Sequence, residues 1–211
     1  MWVGMKSQDI LLLLKLHSIE LHTSMKKASD AHVARLIEEL EEPSFHGWGE
    51  EDTPKAIIDY ISVRNLSLST GIGKTEVGNI INRCIHSGIA FKNRRTGNPA
   101  VNRKALAEFL IYGAKFVFPA TLGKMTRGIP TSFSAPVMDG KIFSTGETKM
   151  VWPDPFGREK GETLEPIYKS VPMAVKRDLV LYELLALFDV IRTGNPREAG
   201  VASDMIAGRL K

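Results

Sequence analysis

The chain holds a single cysteine, Cys84, which excludes an intramolecular disulfide and any zinc site built from several thiolates. Long apolar runs are missing too. The longest, residues 10–14 and 184–188, fall far short of the roughly 20 residues a helix needs to cross a bilayer, so no membrane partner is expected. The first residues do not read as a secretory signal: Ser7, Gln8 and Asp9 precede the apolar run, and His17, Ser18 and Glu20 follow it without a cleavage pattern. These absences point to the cytoplasm. The five histidines form no close pair with a matching acid, so neither a metal nor another cofactor is expected. No charge sign dominates, since 28 Lys and Arg stand against 24 Asp and Glu for a formal net charge of +4. That surplus is too small to name a partner.

What is present is a globular composition, with 43% hydrophobic and 25% charged residues, which excludes wholesale disorder. At 211 residues the length accommodates two small domains, and the division expected is residues 1–113 and 114–211. The cations are concentrated. Lys74, Arg83, Lys92, Arg94, Arg95, Arg103 and Lys104 fall between residues 74 and 104 against Glu76 alone, whereas the acids Glu38, Glu39, Glu41, Glu42, Glu50, Glu51 and Asp52 cluster elsewhere.

Periodicity predicts a first helix from Ser7 or Gln8, burying one face through Ile10, Leu13, Leu14 and Leu21. A second begins after Ser29 or Asp30, carries Val33, Leu36, Ile37 and Leu40, and stops at Pro43. An acidic loop with Phe45 and Trp48 leads to a short helical pattern over residues 54–61. From residue 63 the reading is denser: a short helix ends at Thr70, Gly71 permits a sharp turn, Ile72 plugs the corner, and a new helix over residues 74–87 places Val77, Ile80, Ile81, Cys84 and Ile85 on one face. A short strand, a polar turn over residues 92–99 and a return strand at Ala100 and Val101 follow. Asn102 is placed to cap a helix running toward Gly113. Residues 116–171, rich in Pro, Gly, Ser and Thr yet carrying Phe118, Ile129, Trp152 and Tyr168, are expected to pack as irregular structure. Helices return after Pro172 and from Pro196 to Leu210. The fold class expected is mainly α with a small β-hairpin wing.

Helix, tight turn, helix, hairpin and helix is the order of a winged helix-turn-helix, and residues 63–101 resemble that family. With the flanking helices from Lys6 to Gly113 the arrangement looks MarR-like, which implies a dimeric repressor that sets one helix in the major groove of double-stranded DNA. The family places Ser or Thr at the cap of that helix, where this chain has Gly73. A helix in the major groove meets base edges whose donor and acceptor patterns differ. Thr75, Glu76, Asn79 and Arg83 are the candidates for base edges. Ser69, Thr70 and Lys74 are the candidates for phosphates near the helix starts, and Lys92, Arg94, Arg95 and Asn98 for backbone or minor-groove contacts from the wing. A homodimer is expected, because two-fold pairing doubles the contacts.

Other readings are weaker. Gly71-Ile72-Gly73-Lys74-Thr75 shares its Gly-Lys-Thr ending with the phosphate-binding P-loop, but the full pattern requires glycine where Leu68 stands, and no buried strand precedes it. Asp154, Glu159, Glu162 and Glu165 with Arg158 and Tyr168 lack a nucleophile with an oriented base, so no enzyme is expected. The stretch from Asp189 to Glu198 surrounds a helix break with two arginines and their acids; it either ties two helices or meets a partner. The alternative function is an antitoxin-like module whose C-terminal half masks a partner protein, and apolar exposure between Phe116 and Tyr168 would favour it.

Overall fold

The apolar run beginning at Ile10 forms the middle of helix α1, Ser7–Lys27. A computed structural model describes residues 4–27, 61–141 and 148–211. In it every side chain from Asp9 to Ile19 is buried, so this stretch of α1 is covered on all sides rather than along one stripe. Leu11, Leu12 and Leu16 require neighbours opposite Ile10, Leu13 and Leu14. The helix expected after Asp30, the acidic loop and all but the end of the short helix expected over residues 54–61 lie outside the described residues.

Helix α2, Val63–Thr70, starts where the Ser62 hydroxyl accepts the amide of Asn65 and ends at Gly71, whose φ of 68° is the left-handed turn the sequence anticipates. Ile72 is buried at the corner. Helix α3, Lys74–His86, begins at Gly73 without a side-chain cap, and buries Val77, Ile80 and Cys84. Strand β1, Ala90–Lys92, pairs antiparallel with β2, Pro99–Val101, with Phe91 opposite Ala100. Asn102 caps α4, Arg103–Glu108, by accepting the amide of Ala105 at 3.2 Å. The helix does not stop at Gly113: it widens into a π-turn, Phe109–Gly113, and continues as α5, Ala114–Val117.

The segment expected to be irregular contains a small sheet closed on itself, made of β3, Leu122–Pro130, β4, Met150–Pro153, and β5, Glu159–Leu164. Strand β3 is antiparallel to both others, and β4 runs parallel to β5. Such close strands need residues without side chains. A Cβ on Gly128 would collide with the carbonyl of Trp152, and one on Gly161 with that of Lys149.

Helices α6, Val171–Val175, α7, Leu179–Thr193, and α8, Pro196–Arg209, complete the chain. Apart from Glu183, every position of α7 from Val180 to Ile191 is buried, as befits a helix covered on every side. One hydrophobic core joins α1 to α2, α3 and the hairpin on one side and to α7 and α8 on the other. No helix among the described residues is long and apolar enough to cross a membrane.

Candidate nucleic-acid interface

Helix α3 divides by exposure. Its buried stripe holds Cys84, where burial pushes the thiol up to about 12; this cysteine is core. The opposite side leaves Lys74, Thr75, Asn79 and Asn82 exposed or half-exposed. Lys74 makes no side-chain hydrogen bond or ion pair among the described residues. With Gly73 as cap, the first amides of the helix also lack a side-chain acceptor, and such amides favour an anion.

Two of the candidate contacts are taken up inside the protein. Arg83, only 13% exposed in its side chain, directs its Nε to Asp9 Oδ2 at 2.8 Å and its Nη2 to Asp9 Oδ1 and to Glu76 Oε1, the latter at 3.1 Å. The hydrogen bonds to Asp9 hold the guanidinium pKa above its ordinary value. Thr70 is fully buried; its hydroxyl donates to the Leu66 carbonyl and accepts the Ile72 amide at 3.3 Å. Arg83 therefore ties α3 to α1, and Thr70 shapes the turn. Neither faces outward, because a guanidinium beside a buried carboxylate, or a hydroxyl one turn beyond a backbone carbonyl, is satisfied where it stands.

Glu76 accepts from Gln8 at 2.7 Å and from Asn79 at 3.3 Å. Burial opposes its ionisation, but the hydrogen bonds from Asn79, Arg83 and Gln8, with Lys6 nearby, outweigh it and lower the pKa. The Ser69 hydroxyl stands 3.3 Å from the Leu66 carbonyl.

The hairpin tip is ordered by its own chain. Asn93 Oδ1 accepts the amides of Arg95 at 2.9 Å and Thr96 at 3.3 Å, Gly97 adopts a φ of 72°, and the Asn98 amide reaches the Thr96 hydroxyl at 3.3 Å. This leaves Lys92, Arg94 and Arg95 exposed with no side-chain partner among the described residues, while Asn98 is half-buried. Phe91, which sequence reasoning passed over, is 48% exposed beside them. The signal was there: with Ala90 facing the core, strand alternation turns Phe91 outward.

Away from this face, polar groups tie elements together. Asp154 pairs with Lys176 at 2.6 Å and Glu159 with Lys149 at 2.8 Å. Asp189, buried at the end of α7, accepts from Thr131 at 2.9 Å, Trp152 at 2.7 Å and Arg192 at 2.7 Å, and Arg192 also donates to the Phe118 and Pro119 carbonyls. The Asp189–Arg192 pair thus joins α7 to the closed sheet and to the segment after α5, and Asn195 caps α8 through the Glu198 amide. Among the described residues no group of acids, histidines or cysteines is arranged to hold a metal. Comparison with models of known families, with curated proteins and with solved structures finds no match for this chain.

Proposed function

We propose that this chain binds double-stranded DNA with α3 and the β1–β2 hairpin, and acts as a transcriptional regulator rather than as an enzyme. The observation that carries the reading is the shared exposure of Lys74, Thr75 and Asn79 on α3 and of Lys92, Arg94 and Arg95, without partners among the described residues, on the hairpin that follows. In this reading Thr75 and Asn79 meet base edges in the major groove, and Asn79 suits adenine. Lys74 and the open amides of α3 meet a phosphate, and the hairpin cations follow the adjacent backbone. A two-fold dimer would set two such helices about one helical turn apart.

Binding to random-sequence duplex across a salt series tests it. The Arg94→Ala/Arg95→Ala variant should show a log–log salt slope flatter by about 0.9 for each phosphate that these arginines neutralise in the wild type. Absence of wild-type binding to duplex at low salt defeats the reading.

A second reading, an antitoxin-like module that masks a partner protein, is favoured by apolar side chains left open: Phe116 is 76%, Val117 54%, Leu122 50% and Met125 54% exposed. A stable complex with a co-expressed neighbouring gene product, abolished by Phe116→Asp, would support it.

A further inference from the structure

The β1–β2 hairpin carries an aromatic ring that duplex recognition leaves without a role. Phe91, with Lys92, Asn93, Arg94 and Arg95, lines an open recess of about 680 Å³. The Asn93 side chain and Gly97 set the backbone of the tip that carries these side chains. Among the described residues no cation stands over the Phe91 ring. Phe116 and Phe156, by contrast, have Lys115 and Lys176 over their faces at 5.0 and 5.5 Å. An aromatic face amid three cations has the chemistry of a nucleotide site: the ring stacks on a base and the cations meet the flanking phosphates. In an intact duplex the base faces are covered by their neighbours, whereas an unpaired strand presents them.

We propose that the hairpin binds single-stranded DNA by stacking a nucleobase on Phe91 and holding its phosphates with Lys92, Arg94 and Arg95. The site uses the same hairpin as the duplex reading but is independent of α3, which carries no Phe, Tyr or Trp. An opened duplex beside the bound groove would then be held on its unpaired strand.

The test is a Phe91→Trp variant of the full chain, its emission taken as the difference from wild type and titrated with single-stranded oligo(dT), a fully paired duplex and heparin. Oligo(dT) should quench the added tryptophan and heparin should not. Phe91→Leu, which keeps an apolar side chain on the strand, should weaken oligo(dT) binding by roughly 5- to 100-fold while leaving the salt slope unchanged. Emission insensitive to oligo(dT), equal quenching by heparin, or a Phe91→Leu affinity equal to wild type overturns the proposal. The duplex arm separates the two readings. Quenching by oligo(dT) without wild-type duplex binding defeats the regulator reading alone, and duplex binding without quenching defeats the single-strand site alone.

Discussion

Lys74 and Arg83 belong to the same helix and carry the same charge, yet their surroundings assign them opposite roles. Lys74 stands in solvent at the start of α3, and Arg83 neutralises Asp9, a carboxylate with no exposed surface. Removing one member of a buried pair leaves the other uncompensated, which costs about 3–5 kcal/mol. Arg83→Ala should therefore lower the stability measured by urea unfolding by roughly that amount, and Lys74→Ala should change it by less than about 0.5 kcal/mol. Equal midpoints for the two variants would refute the assignment. Spacing along α3 placed Arg83 off the apolar stripe and so among the surface residues. Its partner lies 74 positions away, and no pattern within one helix carries that information.

Elements with strong local signals were legible, and those built by close approach were not. Gly71, Ile72 and the capping residue Asn102 announced α2, the turn and α4. The closed sheet gave no such notice: β5 reads Glu-Lys-Gly-Glu-Thr-Leu, and β3 contains Gly128 and ends in Pro130, so neither shows the alternation of a half-buried strand. Those glycines answer to neighbours that only folding brings near. Gly128→Ala should destabilise the protein by about 1–3 kcal/mol, because its methyl group would meet the Trp152 carbonyl. Gly78 in α3 has nothing within 4 Å of where a Cβ would stand, so Gly78→Ala should stabilise by about 0.5–1 kcal/mol. Thermal and urea unfolding of the two variants should move in opposite directions; movement in the same direction would contradict the packing of β3 against β4.

At the scale of the molecule, α1 is the element on which both halves of the chain are assembled, and buried polar groups fix its partners. Lys15 and Ser18 meet Asp178, the cap of α7, at 2.7 Å. Burial disfavours the charge on Asp178, but His22 and Lys15 outweigh it and hold the carboxyl well below the usual range. His17 donates Nε2–H to the Arg209 carbonyl at 2.9 Å, while its buried Nδ1 has no hydrogen-bond partner among the described residues. Burial lowers the pKa of this imidazole, the Arg209 carbonyl opposes that, and the charge of Arg103 adds to it. The unfolded chain then gains a proton near pH 6.5 that the folded chain refuses, so this group removes stability as pH falls from about 6.5 toward its folded pKa. Wild type should lose stability relative to His17→Gln between about pH 7.5 and about pH 5.5. Parallel pH profiles of urea midpoints for the two proteins would show that His17 is not held neutral.

By itself the sequence determined the mainly helical character, the order of helix, turn, helix and hairpin over residues 63–101, the core position of Cys84 and the outward cations of the hairpin tip. Each follows from periodicity, caps and turn residues within a few positions of one another. Tertiary structure decided what depends on distant neighbours: that α1 is buried all round from Asp9 to Ile19, that Arg83 and Thr70 are internal, that residues 122–164 include a closed sheet, and that Phe91 shares a recess with Lys92, Arg94 and Arg95. A buried charge and a crowded glycine are defined by their surroundings, and those surroundings exist only once the chain has folded.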